Sequence, residues 1–137
     1  MNSVGIDVSK GRSTVAVMRP FGEVVISPFE VRHTNSELSA LARLLKSLDG
    51  ETRVVMEATE NYHTPVAKVL HDARLYVSVV HAKLIHGYGN NDLRRVKTDR
   101  KDAVKPANYG LNRWLTLPRY FPEEDTCLLY TSDAADE

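Results

Sequence analysis

A single cysteine, Cys127, stands in the whole chain, so neither an internal disulfide framework nor a cysteine-based zinc site can be built. No stretch of about 18 apolar residues occurs, which excludes a membrane-spanning helix. The N-terminus shows no basic segment followed by an apolar one, so no secretory signal is legible and the expected location is the cytoplasm. Internal repeats and low-complexity tracts are absent. Charge of one sign is missing too, since 18 Lys and Arg balance 18 Asp and Glu. What remains is 137 residues of ordinary composition, 42% hydrophobic, which is one domain's worth of chain and enough for a core.

The neutrality is not uniform. Residues 127–137, Cys-Leu-Leu-Tyr-Thr-Ser-Asp-Ala-Ala-Asp-Glu, follow no helical or strand period and carry no capping logic. They resemble the translated read-through of a sequencing-library adapter, so the expected domain is residues 1–126 and the tail is set aside from fold reasoning. The competing reading is a native C-terminal segment. The tail holds three acids (Asp133, Asp136, Glu137) and no Lys or Arg, which leaves the rest of the chain at +3.

The chain opens on Val4-Gly5-Ile6-Asp7-Val8-Ser9-Lys10. At period two, Val4, Ile6 and Val8 face a core while Gly5, Asp7 and Ser9 face the other way. Residues 3–8 read as a strand, Ser9 to Arg12 as a turn, and Thr14–Met18 as its antiparallel partner. Pro20-Phe21-Gly22-Glu23 makes a second turn and Val24-Val25-Ile26 a third strand. Thr34-Asn35-Ser36-Glu37 is a capping box, followed by Leu38, Leu41, Leu44, Leu45 and Leu48 at helical spacing and a stop at Gly50. Arg53–Glu57 is a short apolar strand ending in a carboxylate. Thr64-Pro65 fits an N-cap and first helical residue, with Val66, Val69 and Leu70 facing inward. Leu75–Val80 is a further strand. The order β-β-β-α-β-α-β describes an α/β fold, a mixed sheet with helices packed on it, whose ligand site is expected beyond the carboxyl ends of the parallel strands. Gly87, Gly89, Asn90 and Asn91 argue for a bend or loop. After it, Thr98 is a plausible N-cap for a C-terminal helix whose first turn carries Asp99 and Asp102 on one face.

Four carboxylates thus stand out: Asp7, Glu57, Asp99 and Asp102. Each has a bland explanation, since Asp7 could lie on the solvated face of an edge strand and acids near a helix start complement its dipole. As a cluster, however, they ask for a hard cation, and Mg²⁺ takes oxygen ligands from carboxylates and phosphates. Two such ions about 3.5–4 Å apart stabilise both the attacking and leaving oxygens of a phosphodiester displacement. Around the last pair lie Lys83, Arg94, Arg95, Lys97, Arg100, Lys101 and Lys105, and Lys10 follows the first strand. This basic surround suits a polyanionic backbone, against the alternative of a solvated loop of mixed charge.

Gly5-Ile6-Asp7-Val8-Ser9-Lys10, Met56-Glu57-Ala58-Thr59, Asn61-Tyr62-His63 and residues 97–103 (Lys-Thr-Asp-Arg-Lys-Asp-Ala) resemble, in order, spacing and flanking residues, the DEDD transposases of insertion sequences. That family includes Piv-type DNA invertases and bridge-RNA-guided recombinases. Ala107–Leu111 resembles its next segment, so the likeness spans roughly residues 3–125. It implies an RNase H-like, RuvC-type fold with Asp7, Glu57, Asp99 and Asp102 as a metal-binding catalytic tetrad for Mg²⁺, with Mn²⁺ as the alternative ion. It also implies DNA strand exchange, a non-coding guide RNA as partner, a homo-oligomer in the full-length protein and no membrane association. A second, C-terminal domain carrying a nucleophilic serine is expected in the family and is not within these residues. The expectation is therefore a stretch that binds metal and nucleic acid without completing recombination.

Two departures from the family pattern matter. Glu60 stands where the family usually has Gly, and Pro106 where it usually has an aliphatic residue. A helix begun at Thr98 would be kinked by Pro106. Competing functions are a Holliday-junction resolvase or RNase H-like nuclease, an actin-like sugar kinase (for which no glycine-rich phosphate loop follows) and a nucleic-acid-binding module with an idle acidic site. His63, His71, His81 and His86 match no zinc spacing.

Overall fold

Alternation along the first strand sets the layers. The computed structural model describes residues 1–58, 60–87 and 103–122. Strands β1 (Asn2–Val8), β2 (Arg12–Arg19), β3 (Glu23–Arg32), β4 (Thr52–Ala58) and β5 (Tyr76–His81) form one sheet in the order β3-β2-β1-β4-β5. β1 pairs antiparallel with β2 and β2 with β3, while β4 runs parallel to both β1 and β5. Helices α1 (Asn35–Lys46), α2 (His63–Asp72), α3 (Ala82–Gly87) and α4 (Val104–Asn112) complete the described chain.

One face of the sheet presents Val4, Ile6, Val15, Val17, Val54, Met56 and Val77 to Leu38, Leu41 and Leu45 of α1 and Val66 and Leu70 of α2, all buried. Each such side chain contributes roughly 1.5–3 kcal/mol of apolar burial. The other face carries Val55, Val80, Ile85, Tyr109 and Leu117, covered by α4 and the segment after it. The fold is therefore three layers with a mixed sheet in the middle, as the element order predicts.

Several boundaries differ from the sequence reading. The Thr34 hydroxyl accepts from the Glu37 amide (3.2 Å), but the Glu37 carboxylate accepts from the Arg32 amide (2.9 Å) rather than from the cap itself. α1 ends at Lys46, and Gly50 (φ +90°) instead turns the chain into β4. Leu44 is exposed and Leu48 lies past the helix end. α2 starts at His63, with Pro65 still inside the first turn, where its missing N–H leaves no intrahelical bond unmade. β3 runs ten residues, well past Ile26. Residues 82–87 are helical rather than loop.

α4 approaches β1 unusually closely. A Cβ on Gly5 would lie 2.5 Å from the Ala107 nitrogen, 2.9 Å from its Cβ and closer still to the Ala103 carbonyl oxygen. Only glycine admits that contact. Ser3 Oγ donates to the Ala107 carbonyl (2.6 Å), and Gly110 meets Ser3 and Val55. Pro106 is the third residue of α4, in the turn that needs no intrahelical N–H. The kink expected there is thus not seen in α4; Thr98–Asp102, on which that expectation also rested, lie outside the described residues.

Candidate functional site

β1 is the central strand of five, not an edge, and both of its faces are covered. The solvated-edge explanation of Asp7 therefore does not hold. Ser3, Gly5 and Asp7 share the α4 face, and Asp7 is half-buried at the carboxyl end of the strand. In the parallel β1–β4 ladder Gly5 pairs with Val55 and Ile6 with Met56, so the next residues along are Asp7 and Glu57. Parallel strands keep paired residues on one face, about 4.8 Å apart. Thr14 pairs with Asp7 on the other side and Val80 with Glu57. The row Thr14-Asp7-Glu57-Val80 thus crosses four strands on the α4 face, just past the point where α4 is seated on Gly5. Sequence reasoning singled out the two acids but not Thr14, Gly5 or Ala107. An interior strand glycine was the available signal for the close helix.

Glu57 is followed by a tight turn. Glu60 adopts φ +49°, a left-handed conformation that glycine adopts without penalty. This gives the family's glycine at that position its physical reason. The Glu60 carboxylate accepts a hydrogen bond from the Tyr62 hydroxyl, and that bond, then its negative charge and a little burial, push the phenol above its ordinary pKa. The extra carboxylate is thus tied to Tyr62.

Of the cationic candidates, Lys10 is exposed in the β1–β2 turn, Lys83 is exposed on α3 directly after β5, and Lys105 is half-buried in the first turn of α4. Lys10 and Lys83 therefore flank the same strand ends as the acids. Asp99, Asp102, Arg94, Arg95, Lys97, Arg100 and Lys101 lie outside the described residues. Among the described residues no group of three or more His, Cys, Asp or Glu could hold a metal ion. The donor set that is described, two carboxylates side by side at a half-buried strand end, is the hard-oxygen type that fits Mg²⁺ or Mn²⁺ and lacks the nitrogen or sulfur partners zinc prefers. His63 is buried in α2 and His71 packs edge-on to Tyr120 and Phe121. Among the described residues no helix is long and apolar enough to cross a membrane.

Comparison with known proteins follows the geometry. Thermus thermophilus RuvC superposes with a TM-score of 0.60 at 13% identity, covering 88% of this chain and 100% of RuvC. T. thermophilus RuvC in complex with a Holliday junction substrate gives 0.62 at 12% identity, covering 88% and 99%. At such identity the likeness establishes a RuvC-type, RNase H-like fold. No curated protein matches the sequence. The family model for IS110-type DEDD transposases, described as transposase, matches residues 4–129, three residues beyond the domain boundary drawn from the sequence. Nearly the whole chain is covered by that match, and it belongs to the IS110-type DEDD transposase family.

Proposed function

We propose that this chain supplies the metal-dependent strand-cleaving unit of a DNA transposase, within a domain of residues 1–126. The observation that carries the reading is the pairing of Asp7 and Glu57 on one face at the carboxyl ends of the central parallel strands. Asp99 and Asp102 complete the ligand set; Asp102 is bonded to Ala103, whose carbonyl approaches Gly5 two residues from Asp7. When bound, Mg²⁺ (or Mn²⁺) supplies charge stabilisation for the attacking and leaving oxygens of a phosphodiester. The residues of the chain do the rest. β1 and β4 hold the two carboxylates rigidly, and α4 closes the face beside them. Lys10, Lys83 and Lys105 bind the backbone phosphates of DNA, with Arg94, Arg95, Lys97, Arg100 and Lys101 extending the cationic surface. A guide RNA and a homo-oligomeric assembly belong to the same reading, by family resemblance, as does a cytoplasmic location. The chain alone then binds metal and DNA without completing strand exchange.

The test is Mg²⁺ titration calorimetry on the parent, Asp7→Asn and Glu57→Gln proteins, with nicking of duplex DNA scored in parallel. Loss of metal binding in both variants, with unfolding temperatures retained in metal-free buffer, supports the reading. Equal metal binding in all three refutes it and leaves a nucleic-acid-binding module. A second reading, a junction-resolving nuclease, is favoured by the likeness to RuvC solved with a Holliday junction. Symmetric cutting of four-way junctions without any RNA would select it.

A further inference from the structure

At the opposite end of the sheet from Asp7 and Glu57 lies a cleft of about 370 Å³, within the range of small-ligand sites. Tyr76, which lines it, begins β5 and pairs with Arg53, whereas Val80 pairs with Glu57. Four strand residues, roughly 13 Å, separate the two places. The lining is one-sided in charge. Lys46, Arg74 and Arg119 contribute three exposed cations and no acidic residue takes part. None of the three is ion-paired among the described residues. Beneath them Leu45 and Leu75, 0% and 6% exposed, form an apolar floor. Arg119 is held by its guanidinium lying 5.1 Å from the Tyr76 ring centre, and the Tyr76 hydroxyl is anchored on the Leu117 carbonyl (2.6 Å).

Arg74 occupies a costly position. The Leu75 amide bonds back to the Leu70 carbonyl (3.1 Å) and the Arg74 amide to the His71 carbonyl (2.8 Å), the paired bonds of a Schellman cap on α2. The residue at Arg74 must then be left-handed, and it is, at φ +70°. Glycine or asparagine fits there, and a long cation is an outlier of the kind that points to use.

We propose that this cleft seats one nucleotide of a single-stranded nucleic acid, its phosphate held by Lys46, Arg74 and Arg119 and its base or sugar laid on the Leu45–Leu75 floor. A duplex would satisfy the cations but has no unpaired base to offer the floor; a splayed single strand offers both. The assignment does not depend on the acidic site.

The experiment uses the whole chain in EDTA, with fluorescence anisotropy of labelled oligothymidylate and oligouridylate and with the matching duplex as control. The variant is Arg74→Asn/Arg119→Gln, in which asparagine suits the left-handed position, so folding is retained or improved. Affinity for both single strands is expected to fall about tenfold, and the log–log salt slope by about 1.4 for two lost phosphate contacts. Duplex binding stays as it was. The difference between the two strands shows whether DNA or RNA is preferred, and displacement by AMP at comparable concentration would assign the same chemistry to a free nucleotide. Asp7→Asn binds like the parent, so failure of the acidic-site reading and failure of this one are separable. Unchanged affinity and slope in the double variant, or displacement by polyglutamate as readily as by nucleotide, overturns the proposal.

Discussion

Adding one methyl group at Gly5 is the sharpest probe of how α4 is seated. In Gly5→Ala the new Cβ meets backbone, namely the Ala103 carbonyl and the Ala107 nitrogen at 2.5 Å, together with the Ala107 Cβ at 2.9 Å. An ordinary carbon contact is about 3.5–4.0 Å, so α4 has to move by roughly 1 Å or more. Overpacking of this kind costs about 1–3 kcal/mol, and a backbone obstacle puts the cost near the top of that range because no rotamer change relieves it. Against this stands a gain of about 0.5–1 kcal/mol from replacing glycine in a strand. The net is a loss of about 2 kcal/mol, which for a domain of this size lowers the unfolding temperature by roughly 6–10 °C. Thermal and urea unfolding followed by circular dichroism measure it. Gly110→Ala is the internal control. Its nearest neighbours, Ser3 Oγ and Val55 Cγ2, are side-chain atoms that can yield, at the expense of the Ser3–Ala107 hydrogen bond and about 1 kcal/mol. An unfolding temperature for Gly5→Ala equal to or above the parent's would refute the close docking of α4 on β1.

Other perturbations have equally definite outcomes. Glu60→Gly relieves a left-handed non-glycine residue and is expected to raise stability by about 1–2 kcal/mol; in the same variant the Tyr62 phenol loses its carboxylate partner and titrates at lower pH, read by ultraviolet difference titration. Met56→Ala empties a fully buried site between the sheet and the helices, with an expected loss of about 2–5 kcal/mol in denaturant unfolding. His33, bonded to Ser13 Oγ through Nε2 at 2.7 Å, is held below its ordinary pKa by desolvation. The unfolded chain therefore binds the proton first, so stability is full above the ordinary histidine pKa and falls as pH drops through the folded value. His33→Gln should flatten the unfolding temperature between neutral and mildly acid pH.

The parts of the fold legible in the sequence were those with an apolar period. β1 and α1 announced themselves through Val4-Ile6-Val8 and through Leu38, Leu41 and Leu45, and the burial of those residues follows. The covering of the opposite face was not legible as such, because its signal is smallness rather than hydrophobicity. Gly5, Ala103, Ala107 and Gly110 let two backbones touch, and no hydrophobic pattern marks that. Helix starts also slipped. Thr64-Pro65 has cap chemistry, yet His63 is buried and draws the first turn of α2 forward. The positive φ at Glu60 could not be read from a glutamate; only the family's preference for glycine hinted at it. At the site, Asp7 and Glu57 come together because the parallel register extends to them, and register is a long-range property that local sequence does not encode.

That register also raises the question of what makes two acids tolerable there. Unit charges at roughly strand spacing repel by up to about 3 kcal/mol at an effective dielectric of 20, less as solvent and salt screen them. A solvated edge would let them splay apart; a central strand whose neighbours are fixed on both sides does not. Sheet architecture thus holds the two carboxylates close in the absence of any counter-charge of their own sequence neighbourhood, since Val4 to Ser9 and Val54 to Ala58 contain no Lys or Arg. On the proposed reading a divalent ion is what turns this repulsion into attraction, and the fold is then more stable with metal than without by RT ln(1 + [L]/Kd), about 2.7 kcal/mol at a hundredfold excess over Kd. Mg²⁺ should raise the unfolding temperature of the parent and leave that of Asp7→Asn where it was, while Asp7→Asn in metal-free buffer should equal or exceed the parent because one member of the repelling pair is gone. A metal-free Asp7→Asn protein less stable than the parent would mean that Asp7 is held by favourable local bonds rather than kept for an ion.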